Sequence, residues 1–177
     1  MEEVLTITYQ RFVESRNRQF EGDLSALNIQ KVSKWLCEGN RNGLLLYGTI
    51  GSGKTTLMET IIKALTILAP EIRKYRQSAI DITNEAKRDT DKFNDIKKCE
   101  MLFIDDLGEE PLIVKNFGNE ISPIVELLYY RYDKQLFTII TTNLLDDQIA
   151  PTYGERIKDR FNEMFDRVYF DIKSFRK

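Results

Sequence analysis

The sequence predicts an α/β fold, a parallel sheet with helices packed on both of its faces. Three observations predict it. Strand-like apolar runs alternate with helix-periodic segments along most of the chain. One such run, GLLLYG at 43–48, passes through a glycine-rich turn directly into a helical pattern. Another, MLFIDDLG at 101–108, is apolar for four residues and then carries adjacent carboxylates, as a strand buried on both faces with a charged tip would.

The elements follow in order. Residues 1–20 are charged and irregular in pattern, and are expected to form a partly helical N-terminal extension before a domain spanning 21–177. DLSALNIQKVSKWLCEGN reads as a helix with Ile29, Val32 and Leu36 on one face and Gly39 beyond its end. GLLLYG is a short buried strand, and KTTLMETIIKALTIL a helix with Leu57, Ile61, Leu65 and Leu68 in one stripe, closed by Pro70. Residues 74–99 hold a weak strand and one or two short helices. Met101–Asp105 is the next strand. NEISPIVELLYYRYDK is helical, with Ile121, Val125, Leu128 and Tyr132 aligned. LFTIITTN is a strand rich in β-branched and aromatic residues. YGERIKDRFNEMF is a helix, and RVYFDI a final strand.

The bulk numbers narrow the function. A chain of 177 residues suits one domain with a real core, and 42% hydrophobic with 31% charged residues is ordinary for a globular protein. The net charge of −2 lacks the basic footprint of a nucleic-acid binder. There is no histidine, the commonest transition-metal ligand, and Cys37 and Cys99 give no zinc spacing. Two reduced thiols fit a cytoplasmic protein. The acidic N-terminus lacks an apolar signal core, and no apolar run approaches the roughly 20 residues of a membrane span.

Chemistry concentrates in GTIGSGKTT. It satisfies G-x-x-x-x-G-K-[ST] with Gly48, Gly53, Lys54 and Thr55. Glycines at 48, 51 and 53 let the backbone curl so that successive N–H groups face a polyphosphate, and the following helix aims its positive end at the same point. The expected cradle is Gly48, Thr49, Ile50, Gly51, Ser52, Gly53, Lys54, Thr55 and Thr56. Lys54 is expected at the β- and γ-phosphates, and the Thr55 hydroxyl on Mg²⁺. A phosphate-bridging Mg²⁺ calls for a carboxylate from a neighbouring strand, and Asp105 is placed for it. Asp106 is then free to orient the attacking water, or else to cap the following turn. Asn143 ends a strand, where its amide serves the same water or simply forms a turn. Arg156 and Arg160 share a helical face, either as solvated charges or with one acting as an arginine finger in a neighbouring molecule.

Together, GLLLYGTIGSGKTTL, MLFIDDLGEEP, YYRYDKQLFTIITTNL and YGERIKDRFNEMFDRVYFDIKSFR resemble the AAA+ ATPases of the DnaC/IstB type. These are replicative-helicase loaders and transposition ATPases related to the DnaA initiator. The resemblance covers Phe20 to the C-terminus. It implies a three-layer P-loop NTPase core with a five-stranded parallel sheet and no C-terminal helical lid. It also implies Walker A at Gly48–Thr55, Walker B at Asp105 and Asp106, sensor 1 at Asn143, and a finger at Arg156–Arg160 with Arg160 favoured. Arg176, in the closing SFR, would contact nucleotide, and Phe20 with the segment after it would pack on adenine. The implied cofactors are ATP and Mg²⁺, and the implied reaction is hydrolysis serving helicase loading or transposition. Implied partners are further copies of the chain through the finger, a replicative helicase or transposase, and single-stranded DNA.

Some features depart from that pattern. Many AAA+ proteins carry glutamate where this chain has Asp106; aspartate there is shared by the initiator-like members, and its shorter arm points to slow, switch-like hydrolysis. Twenty-odd irregular residues do not make the separate helicase-binding domain usual in loaders. In the stretch that would meet DNA, Lys87, Arg88, Lys92, Lys97 and Lys98 alternate with Glu85, Asp89, Asp91 and Asp95, and Phe93 is the one aromatic among them. That pattern reads as solvated helix faces rather than a stacking platform. Two further readings stand beside the ATPase: a nucleotide-gated adaptor with little turnover, and a small P-loop kinase acting on a nucleoside or metabolite.

Overall fold

A computed structural model describes residues 1–15, 22–116 and 119–171. The elements, in chain order, are α1 (Glu2–Ser15), α2 (Gly22–Glu38), β1 (Gly43–Gly48), α3 (Lys54–Leu68), β2 (Lys74–Ser78), α4 (Ala79–Arg88), α5 (Thr90–Lys98), β3 (Met101–Leu107), β4 (Val114–Asn116), β5 (Asn119–Ile121), α6 (Pro123–Asp133), β6 (Phe137–Thr142), α7 (Asp146–Tyr153), α8 (Glu155–Met164) and β7 (Phe165–Phe170). Among the described residues, five strands form one parallel sheet in the order β2-β3-β6-β1-β7, while β4 and β5 pair as a small antiparallel hairpin.

Period-2 alternation divides the core between the two sheet faces. Leu44 and Leu46 face one way with Phe103, Ile139, Val168 and Phe170, and are covered by α1, α2 and α3. Leu45, Ile104 and Ile140 face the other way and are covered by α4 to α8. Three layers result, as expected for this class.

Several elements differ from the sequence expectation. The charged stretch at the N-terminus supplies α1, whose Leu5 and Tyr9 are buried one helical turn apart among residues of α3. Leu57, Ile61 and Leu65 of α3 are buried as expected, but Leu68, in the helix's last turn, is 55% exposed. Ile121 belongs to β5, and Pro123 opens α6. The face of α6 in the core is therefore Ile124, Leu127, Leu128 and Arg131, rotated from the expected line through Val125 and Tyr132. β3 runs on to Leu107, β7 begins at Phe165, and α7 accommodates Pro151.

Arg131 explains the rotation. It is fully buried, yet its guanidinium donates to the carbonyl oxygens of Lys97 (3.1 Å), Cys99 (2.9 Å) and Phe137 (2.7 Å) and to Thr138 Oγ1 (2.8 Å). Burial lowers its pKa to about 10, while these bonds tie α6 to the start of β6 and the end of α5. No described helix is long and apolar enough to cross a membrane.

Candidate functional site

The glycine loop joins β1 to α3 at the carboxyl edge of the sheet. Two of its glycines are compelled. Gly48 has φ +126°, and a Cβ there would lie 2.3 Å from the Phe170 carbonyl oxygen. Gly53 has φ +97°, and a Cβ would lie 2.6 Å from the Tyr9 hydroxyl, so the loop is backed by α1 as well as by β7. Ser52 Oγ donates to the Thr49 carbonyl at 2.7 Å, closing the curl. The Lys54 ammonium donates to the Gly48 and Thr49 carbonyls at 2.9 and 2.7 Å, which holds its charge against the loop at the start of α3. Curled backbone, helix terminus and lysine together make an anion site.

The adjacent aspartates do different things because β3 is irregular at that point. In the β3–β6 ladder Ile104 pairs with Ile140 and Leu107 with Thr142, so Asp105 and Asp106 share the single opposing Thr141. Asp106 takes φ +54°, a left-handed conformation that aspartate tolerates better than most residues. Asp105 is turned inward and buried. Its Oδ1 accepts from Thr55 Oγ1 at 3.0 Å and from Thr141 Oγ1 at 2.5 Å, and its Oδ2 accepts from Arg76 at 2.7 Å. The Asp106 N–H donates to the same Thr141 oxygen at 2.9 Å, and the Asp106 side chain is exposed.

Beside these groups lies a cleft of about 620 Å³, lined by residues 50–56, Ser78, Ile80, Asp106, Glu109 and Asn143. Gly48 and Thr49 form the entry to the loop, and Asn143 stands at the end of β6. The structure thus brings together the loop, Thr55, Asp105, Asp106 and Asn143. Arg156 and Arg160 do not line this cleft. Arg156 is exposed, and the Arg160 guanidinium stacks over Tyr129 (4.2 Å) and Tyr132 (5.0 Å) of α6. Arg176 and Phe20 lie outside the described residues.

Sequence reasoning missed several participants. Arg76 of β2 reaches both Asp105 and Glu59, the latter at 3.0 Å. Burial opposes its charge, but pairing with the two carboxylates raises its pKa overall. Thr141 anchors both aspartates. Glu110, buried, accepts from the Gly108 N–H and the Tyr153 hydroxyl, joining the turn after β3 to α7. Arg76 and Thr141 are revealed only by pairing across strands, and Glu110 only by the packing of α7 on the turn after β3. Lys92 pairs with Glu85 and Lys97 with Glu126, while Phe93 is in the core, so the stretch 85–98 has no exposed stacking aromatic.

No cluster of three or more metal-ligating side chains exists among the described residues. Mg²⁺ bound with a nucleotide takes one or two protein oxygens and completes its shell with phosphate and water. Thr55 and Asp105 offer such hard oxygens side by side.

A family model described as the bacterial DnaA ATPase domain matches residues 5–166. The chain belongs to this family. It is 30% identical over 129 residues to the replicative helicase loader DnaI of Bacillus subtilis (strain 168), a match covering 67% of this chain and 39% of the loader. It is likewise 30% identical over 145 residues to the chromosomal replication initiator DnaA of Acinetobacter baumannii (strain ATCC 17978), covering 73% of this chain and 30% of the initiator. The chain therefore spans well under half the length of these curated relatives. A crystal structure of DnaI superposes with a TM-score of 0.70 at 22% identity, over 99% of this chain and 94% of that one. The fold is thus the P-loop AAA+ core that the sequence predicts.

Proposed function

We propose that this protein is a Mg²⁺-dependent ATPase that acts on a replicative helicase as it is placed on DNA. The observation that carries the reading is the meeting of Thr55 and Asp105 at 3.0 Å beside a cleft shared by the glycine loop, Asp106 and Asn143. In this reading loop amides and Lys54 hold the β- and γ-phosphates. Thr55 and Asp105 would hold Mg²⁺, which when bound would neutralise phosphate charge. Asp106, exposed at the cleft, accepts the proton side of the attacking water, and Asn143 orients that water by its amide. Arg176 and the segment near Phe20 are candidates for nucleotide contact. Residues 21–177 would be the ATPase domain, with the preceding residues bracing the loop through Tyr9.

The kinship with a loader and an initiator supports replication over transposition. Arg160, or Arg156 beside it, would act outside its own cleft, on nucleotide held by the next copy of the chain. Among the described residues no arginine lines the cleft, which gives no support to a kinase that clamps a second substrate with arginines. The test is product analysis with γ-labelled ATP, with and without single-stranded DNA. Release of free phosphate, lost in Lys54→Ala, is the expected result. Label transferred to a small acceptor would establish the kinase, and tight binding without turnover the adaptor. Mixing Lys54→Ala with Arg160→Ala protein should restore activity if the finger acts between copies, and no restored activity in that mixture, where the wild type oligomerises, would exclude that role.

A further inference from the structure

Arg76 has no part in the reading above, yet its guanidinium touches the carboxylate at the centre of the site. The strand register explains its position. β2 pairs with β3 so that Arg76 lies beside Phe103 and Ser78 beside Asp105. Phe103 packs in the layer formed with α1, α2 and α3. Residues paired across a parallel ladder share a face, so Arg76 projects toward α3, as Asp105 does two residues beyond Phe103. There it meets Asp105 Oδ2 at 2.7 Å and Glu59 Oε1 at 3.0 Å. Glu59 is four residues after Thr55 and therefore on the same helical face. β2 is an edge strand, and the Arg76 side chain stays 38% exposed.

We propose that Arg76 is a built-in counter-cation at the metal position, which holds Asp105 aimed at Thr55 and weakens the grip on the nucleotide-bound divalent ion. This rests on the reading of Thr55 and Asp105 as the metal-holding pair. Asp105 has one oxygen shared by two hydroxyls and the other paired with a full positive charge. A divalent cation drawn to the same carboxylate meets repulsion from that guanidinium. Glu59 gives Arg76 a second anchor on α3, so the charge stays beside the site and its repulsion persists. The arrangement favours reversible engagement of metal and nucleotide over permanent capture.

The experiment measures divalent affinity directly. Mn²⁺ is titrated into protein saturated with a non-hydrolysable ATP analogue, with free Mn²⁺ followed by electron spin resonance. Arg76→Met is expected to bind Mn²⁺ about tenfold more tightly than wild type, the effect of one nearby charge at a half-exposed, water-like site. Arg76→Lys keeps the charge and should stay within about threefold of wild type. Higher salt should narrow the gap between Arg76→Met and wild type, a response that a purely structural strut would not give. Unchanged or weaker Mn²⁺ binding in folded Arg76→Met overturns the inference. If that variant does not fold, Arg76→Gln, neutral but still able to hydrogen-bond Asp105, decides, and unchanged or weaker Mn²⁺ binding there overturns the inference. Failure of wild type to hold the analogue and Mn²⁺ at all would instead remove the reading of the site itself.

Discussion

Thr141→Val isolates the hinge on which the two aspartates turn. The replacement keeps volume and β-branching in a fully buried strand position, so packing is preserved. It removes the hydroxyl that donates to Asp105 at 2.5 Å and accepts from the Asp106 N–H at 2.9 Å. A hydrogen bond to a charged group contributes about 1.5–3 kcal/mol, and a stranded N–H costs about 1–3 kcal/mol. Partial relief by solvent at the exposed Asp106 trims the sum, leaving a loss of about 3 kcal/mol. Urea unfolding with chelator present should show an unchanged slope and a midpoint lower by roughly 1.5 M. Nucleotide binding should also lose much of its Mg²⁺ dependence, because Asp105 is no longer held against Thr55. A stability change under about 0.5 kcal/mol would refute the claim that this hydroxyl organises the pair.

Further expectations concern other parts of the molecule. Gly53→Ala should destabilise the protein by about 2 kcal/mol or more by thermal unfolding, since φ +97° and the Tyr9 hydroxyl both oppose a Cβ. Arg131→Met should cost about 3 kcal/mol in urea unfolding, because three backbone carbonyls lose their donor. Asp106→Asn keeps a residue that tolerates the left-handed backbone, so the fold and nucleotide binding should persist while phosphate release falls on the order of 10²-fold. Tyr153→Phe leaves buried Glu110 short of a donor and should cost about 2 kcal/mol at neutral pH. Burial, and then the charge of Glu110, raise the Tyr153 pKa above the ordinary value of 10.0. The unfolded chain therefore loses this proton first as pH rises, and the wild type's margin over Tyr153→Phe should shrink above about pH 10 by roughly 1.4 kcal/mol per pH unit.

Much of this molecule is legible in its sequence because its signals are local. GLLLYG and KTTLMETIIKALTIL match β1 and α3 residue for residue, since a glycine loop separates a short continuous apolar run from a period-3.6 run. The positions of the loop and of Asp105 follow from the same punctuation. What stayed hidden depends on partners distant in the chain. Leu5 and Tyr9 gain meaning only when α3 lies beside them. Arg131 is charged and so falls outside any apolar stripe, although carbonyls of α5 and β6 make it a core residue. The hairpin β4–β5 and the proline-bearing α7 are too short to show periodicity. Arg76 and Thr141 join the site through sheet register, which no single stretch of sequence encodes.

In the proposed function the glycine loop and the tip of β3 bind one magnesium–nucleotide complex. Calorimetric titration of ATP analogue into wild type and Asp105→Asn, with Mg²⁺ and with chelator, tests it most directly. Mg²⁺-enhanced binding is expected in wild type, with a loss of that enhancement, about tenfold or more, in the variant. Binding that is absent in wild type, or equal in both proteins with and without Mg²⁺, would contradict it.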